Sequence, residues 1–79
     1  MNEAQKDSDR ALKAALTICD GRNPHPQCGA VMVTLEQTVA ILLLAAMNGD
    51  GRKAAAMLNE GLVPRVEERL MLHASREAS

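Results

Sequence analysis

Cys19, His25 and Cys28 are the residues of this chain whose types could do chemistry together. Their spacing is Cys-x5-His-x2-Cys on a stretch rich in Gly and Pro. Thiolates and imidazole are the ligands zinc prefers, and a small domain can fold around such a metal. His73 or Asp20 would be the fourth ligand. No CxxC or HxxxH knuckle is present, and Cys19 falls on a helix face where a small apolar residue belongs. The plainer expectation places Cys19 in a core and His25 and Cys28 on a solvated loop. Cys28 beside His25, with Glu36 to orient the ring, has the composition of a thiol–imidazole nucleophile, but nothing in the spacing requires it. Gly49-Asp50-Gly51-Arg52-Lys53 opens a helix with glycines and two cations, as phosphate-binding turns do. It lacks the Walker spacing and a preceding strand, so a corner between helices is expected. The reading is non-enzymatic: no catalytic residue, no metal and no cofactor is assigned.

Those residues must be held by a single small domain. The chain has 79 residues, nine Lys+Arg against ten Asp+Glu, and a formal charge of −1. That balance excludes a polyanion that imitates DNA and a polycation that coats it. Phe, Tyr and Trp are absent, which removes base-stacking platforms and aromatic grooves for sugars or proline-rich peptides. Large aliphatic residues number 22: ten Leu, five Val, two Ile and five Met. A core of that size leaves a monomer marginal, so a metal, a disulfide or a second subunit is expected to add stability. The longest unbroken apolar run, Val39 to Met47, is nine residues, against the ~20 a bilayer requires. The polar first residues carry no signal-peptide core. Hence no membrane association and a cytoplasmic, reducing setting are expected, with both Cys as thiols.

Periodicity predicts an all-α fold, a small bundle of about four helices around a central apolar helix, in one domain over 1–79. Residues 1–6 and 76–79 are expected to fray. Asp7 or Ser8 would cap the first helix, whose stripe is Leu12, Ala15, Leu16 and Cys19. Gly21 would stop it. Pro24 and Pro26 make residues 21–29 a loop. Residues 30–33 read either as a brief strand or as the approach to the next helix. Thr34-Leu35-Glu36-Gln37 fits a capping box opening a helix to about Met47. Asn48-Gly49 breaks the chain, and Asp50 caps a short helix to Glu60. Gly61 would end that helix, and Pro64 would start the last one.

The helix over 38–47 is apolar on every side, and short neighbours can hardly cover it. Val39, Ile41, Leu42, Leu43, Leu44 and Met47 are therefore read as a core that doubles as the interface of a homodimer. A helix-turn-helix about Gly61 is an alternative, but Glu67 and Glu68 beside Arg65 and Arg69 would meet phosphates at a repulsive cost. Nucleic acid is not the expected partner. A zinc-stabilised module on Cys19, His25 and Cys28 is the other alternative.

In its size, its single capped helical unit from Thr34 to Met47 and its lack of catalytic or nucleic-acid signatures, the chain resembles the small accessory inhibitors of phages and mobile elements, of the anti-CRISPR kind. The resemblance implies docking on a host effector complex, by steric block or a locked conformation because the charge does not suit DNA mimicry. It carries no site residues over. The residues expected to meet a protein partner are Arg22, Asn23 and His25 on the loop and Arg65, Glu68, Arg69 and Arg76 on the last helix.

Overall fold

Asn2 begins the first helix. Its side-chain carbonyl accepts the Gln5 N–H at 2.9 Å, satisfying one donor of the open first turn. A computed structural model describes residues 2–78, and the first helix, α1, spans Glu3–Cys19. The cap at Asn2 lies well ahead of the expected Asp7 or Ser8. Residues 3–6 are accordingly helical rather than frayed, with Arg10 paired to Asp7 at 2.7 Å and Lys6 to Glu3 at 3.5 Å along the exposed side. Ser8 instead donates its hydroxyl to the Ala4 carbonyl within the helix. Asp20 and Gly21, at φ 49° and 78°, turn left-handed and end α1 where Gly21 was expected to.

Arg22 closes that end. Its Nε donates to the Cys19 carbonyl at 2.8 Å and its Nη2 to the Ile18 carbonyl at 2.7 Å. These are carbonyls of the last turn of α1, where a cation also meets the negative end of the helix dipole. The same guanidinium reaches the Thr34 hydroxyl at 3.0 Å and the Ala30 carbonyl at 3.3 Å. Asn23 and Gln27 then lock the loop reciprocally: the Gln27 side chain accepts the Asn23 N–H, and the Asn23 carbonyl accepts the Gln27 N–H, both at 3.0 Å.

The second helix, α2, spans Cys28–Ala46. Its ladder starts at the Gln27 carbonyl, which accepts the Val31 N–H at 3.1 Å. Residues 30–33 are thus helix and not strand. Thr34 lies inside the helix, its hydroxyl accepting from Arg22 and donating to Ala30, so the capping box does not form. At the other end, the Gly49 N–H reaches back to the Leu44 carbonyl at 2.7 Å and the Asn48 N–H to the Ala45 carbonyl at 3.3 Å. With Asn48 and Gly49 at φ 54° and 82°, this is a Schellman-type stop. Asp50 caps the next helix, accepting the N–H groups of Arg52 and Lys53 at 3.1 Å each. The expected corner at 48–51 is therefore present.

Beyond it, the expected pair of helices is one. Gly51–Met57 continues through a π turn, Leu58–Leu62, into Val63–Ala78. We denote this continuous helix α3. The cause is Pro64, which has no N–H and whose ring collides with the carbonyl four residues back in an α-helix. The ladder slips instead, and the Val63 N–H donates to the Leu58 carbonyl five residues back. Gly61 stays out of the left-handed region and does not stop the helix. Its missing Cβ leaves room for the Met57 sulfur, which lies 2.9 Å from the place a Cβ would occupy. The turn expected at Gly61 is therefore absent from this helix. Residues 76–78 are helical rather than frayed; Met1 and Ser79 lie outside the described residues.

The architecture is all-α, with three helices among the described residues and no strand. It divides into two units, one ending at Thr38 and the other beginning at Val39. In the first, the Arg22 clamp ties the end of α1 to the start of α2, and Val31 is buried. In the second, small residues of α3 (Gly51, Ala54, Ala55) face Ala40, Leu43 and Leu44 of α2 across an apolar notch, and Ala54 is buried.

Candidate interaction surface

Val31 at 4% and Ala54 at 6% exposure are the only buried hydrophobic residues among those described. The apolar stripes exist where periodicity placed them, but nothing within either unit covers them. On α1, Leu12 and Leu16 remain more than half exposed. The expected core set on α2 splits in two. Val39, Leu43 and Met47, four residues apart, are half-buried, whereas Ile41 and Leu42 are exposed to 66% and 64%. Leu44 is also exposed. Neither unit by itself encloses its stretch of α2.

On the second half of α3, Val66, Leu70, Met71 and Leu72 are all exposed. Arg65, Arg69 and Arg76 recur at helical spacing and share a face with Leu72. Beside it runs a shallow groove lined by Pro64, Glu68, Met71, Leu72 and Ser75. His73 and Glu77 pair at 2.8 Å on the same helix. The structure thus places Arg65, Glu68, Arg69 and Arg76 together along one exposed segment, around apolar side chains, which is the chemical make-up of a protein-binding rim and centre.

The loop residues are placed differently. Arg22 is half-buried and its guanidinium is engaged by four acceptors inside the chain. Asn23 accepts the His25 N–H at 3.1 Å, so its side chain shapes the turn. His25 is exposed. Cys19 and Cys28 are free thiols, half-buried and exposed respectively. Among the described residues no three of His, Cys, Asp and Glu come together as a metal site would require.

A further property of α2 escaped the unbroken-run criterion. Because the helix reaches back to Cys28, it is 19 residues long with a mean hydropathy of 1.8, long and apolar enough by length and composition to cross a membrane. A windowed hydropathy starting at Cys28 is the signal that finds it. The one charged residue in the helix, Glu36, lies next to Gln37 at its midpoint. The Arg22–Thr34 contact was also missed, since no local pattern couples residues twelve apart.

Comparison with protein-family models, with curated proteins and with solved structures gives no match to this chain.

Proposed function

We propose that the chain is a small non-enzymatic interaction protein, an inhibitor or regulator that docks on a protein complex in the cytoplasm by steric block. The observation that carries this reading is the second half of α3, where uncovered Val66, Leu70, Met71 and Leu72 are interleaved with exposed Arg65, Glu68 and Arg69. A patch of this kind combines apolar area to bury with charges that fix register and speed encounter. The formal charge of −1 fits a protein partner better than a nucleic acid. Arg65→Glu combined with Arg69→Glu tests it. Circular dichroism is expected to be unchanged, while affinity for a partner captured by the wild-type chain from its host falls about tenfold or more, the equivalent of ~1.4 kcal/mol. Unchanged affinity removes this face from the proposal.

The length and hydropathy of α2 favour a second reading, a single membrane span. Glu36 and Gln37 weigh against it. An ionised group at the centre of a spanning helix costs about 2.5–3.5 kcal/mol even on insertion scales, and the aromatic residues that anchor spans at the interface are absent. Extraction of the chain by carbonate at high pH, with no need of detergent, is the outcome expected if α2 meets protein.

A further inference from the structure

We infer that a second groove on α3, beside its π turn, takes an acidic amphipathic helix of a partner protein, aliphatic along its middle and carboxylate-bearing toward its ends. This rests on the interaction reading above, because Arg65 belongs to both surfaces.

The groove lies wholly within the second unit and measures about 420 Å³. Met47 and Met57 supply its apolar floor, Lys53 and Arg65 its cations, and Glu60 its carboxylate. The π turn assembles it. In an unbroken α-helix Arg65 would stand about 120° around the axis from Lys53. The extra residue of the turn takes back about 100°, so Lys53, Met57 and Arg65 come onto one face. Gly61 makes room for the floor: the Met57 sulfur lies 2.9 Å from the place a Cβ would occupy. Any side chain at 61 would displace that thioether and reshape the groove.

Charge, shape and mode of contact select the occupant. Neither Lys53 nor Arg65 is paired with a carboxylate among the described residues, although Glu60 lines the same groove. One carboxylate cannot answer two cations, so a positive charge is left for the occupant to meet. The groove is shallow and open, unlike the clefts that enclose small molecules, and a methionine floor adapts to aliphatic side chains. Among the described residues there is no strand edge to extend, and the chain has no aromatic ring to hold a proline-rich segment. A helix laid in the groove is the recognition mode that remains. Lys53 and Arg65 stand about three turns apart along α3, which sets a similar separation for the occupant's carboxylates.

Two synthetic helical peptides, each about four turns long, serve as probes. Both carry Leu along one face; one has Glu at the two ends of that face and the other has Lys there. Each is titrated into the full-length chain, with affinity read by fluorescence anisotropy and the Met47 and Met57 methyl signals followed by NMR. The Glu peptide is expected to shift both methyl signals and to bind at least about tenfold more tightly than the Lys peptide at low salt, with the gap narrowing as salt is added. Lys53→Glu is expected to weaken the Glu peptide at least about threefold and to strengthen the Lys peptide; a carboxylate in the first turn suits the helix dipole, so the fold is retained. Gly61→Ala is expected to weaken both peptides, and it meets only the end of a flexible side chain, so the helix persists. Equal affinity for the two peptides, or none for either, overturns the acidic helix. Binding of the Glu peptide that is indifferent to either variant overturns the groove. Neither result touches the interaction reading, which is decided by the host partner's response to Arg65→Glu with Arg69→Glu.

Discussion

The two units of this chain are held by opposite means. Up to Thr38 the decisive contact is polar: one guanidinium satisfies two carbonyls at the end of α1 and a carbonyl and a hydroxyl on α2. From Val39 onward it is apolar and depends on smallness, with Ala54 buried where α3 faces α2. A clamp built on charge-assisted hydrogen bonds is directional and orders a loop without needing a core. A notch lined by Ala and Gly allows backbones to approach but buries little area. Neither is a sufficient hydrophobic core, so both units leave their longer aliphatic side chains outside.

Substitutions at three positions sharpen or break this contrast. The largest effect is expected from Ala54→Asp, which forces a carboxylate into a site 6% exposed and costs about 3 kcal/mol or more. Urea unfolding measures it, and amide exchange should show the loss concentrated after Val39. Arg22→Ala comes next. It removes the clamp at a cost of about 2 kcal/mol, and Arg22→Lys recovers only a fraction because an ammonium cannot reproduce the planar fork. Faster exchange is expected at residues 18–34 and not in α3; equal loss in both would show that the units are one cooperative block. The smallest effect is that of Asp50→Ala, which deletes two capping bonds at about 1 kcal/mol, seen as fraying of Arg52 and Lys53 in exchange data.

Much of the backbone was legible because its signals are local. Gly21 as a stop, and Asn48-Gly49-Asp50 as a stop followed by a cap, are each decided within four residues by left-handed conformations and side-chain acceptors. Three misreadings share one cause, competition from a partner or a strain that local pattern does not display. Thr34 has the chemistry of a cap, but its hydroxyl is claimed by Arg22, and the helix therefore starts at Cys28. Gly61 and Pro64 have the chemistry of a stop and a start, yet widening one turn accommodates the proline without ending the helix. Asn2 pre-empted Asp7 because any acceptor placed earlier can begin the first turn.

The candidate surface was half legible. Periodicity identified the apolar residues and the charged residues on α3, but period alone does not say what covers a stripe. Leu42 and Leu43 are adjacent and equally apolar, and only the structure separates the exposed one from the half-buried one. Arg22 shows the converse, since its acceptors on α2 lie eight and twelve residues away, where no local pattern couples them to it.

The π turn at Leu58–Leu62 has a consequence for the direction of α3. At 100° per residue, Val66 and Leu70 in an unbroken α-helix would lie about 120° and 160° around from Ala54. The widened turn absorbs one extra residue and takes back about 100° of that rotation. Val66 and Leu70 thereby return to the side of Ala54 and Leu58, and a single oily seam runs the length of the helix. Deleting Gly61 together with Pro64→Ala would accordingly straighten the coil and leave that seam unturned, whereas Pro64→Ala alone would let the turn close and swing the seam about 100° away.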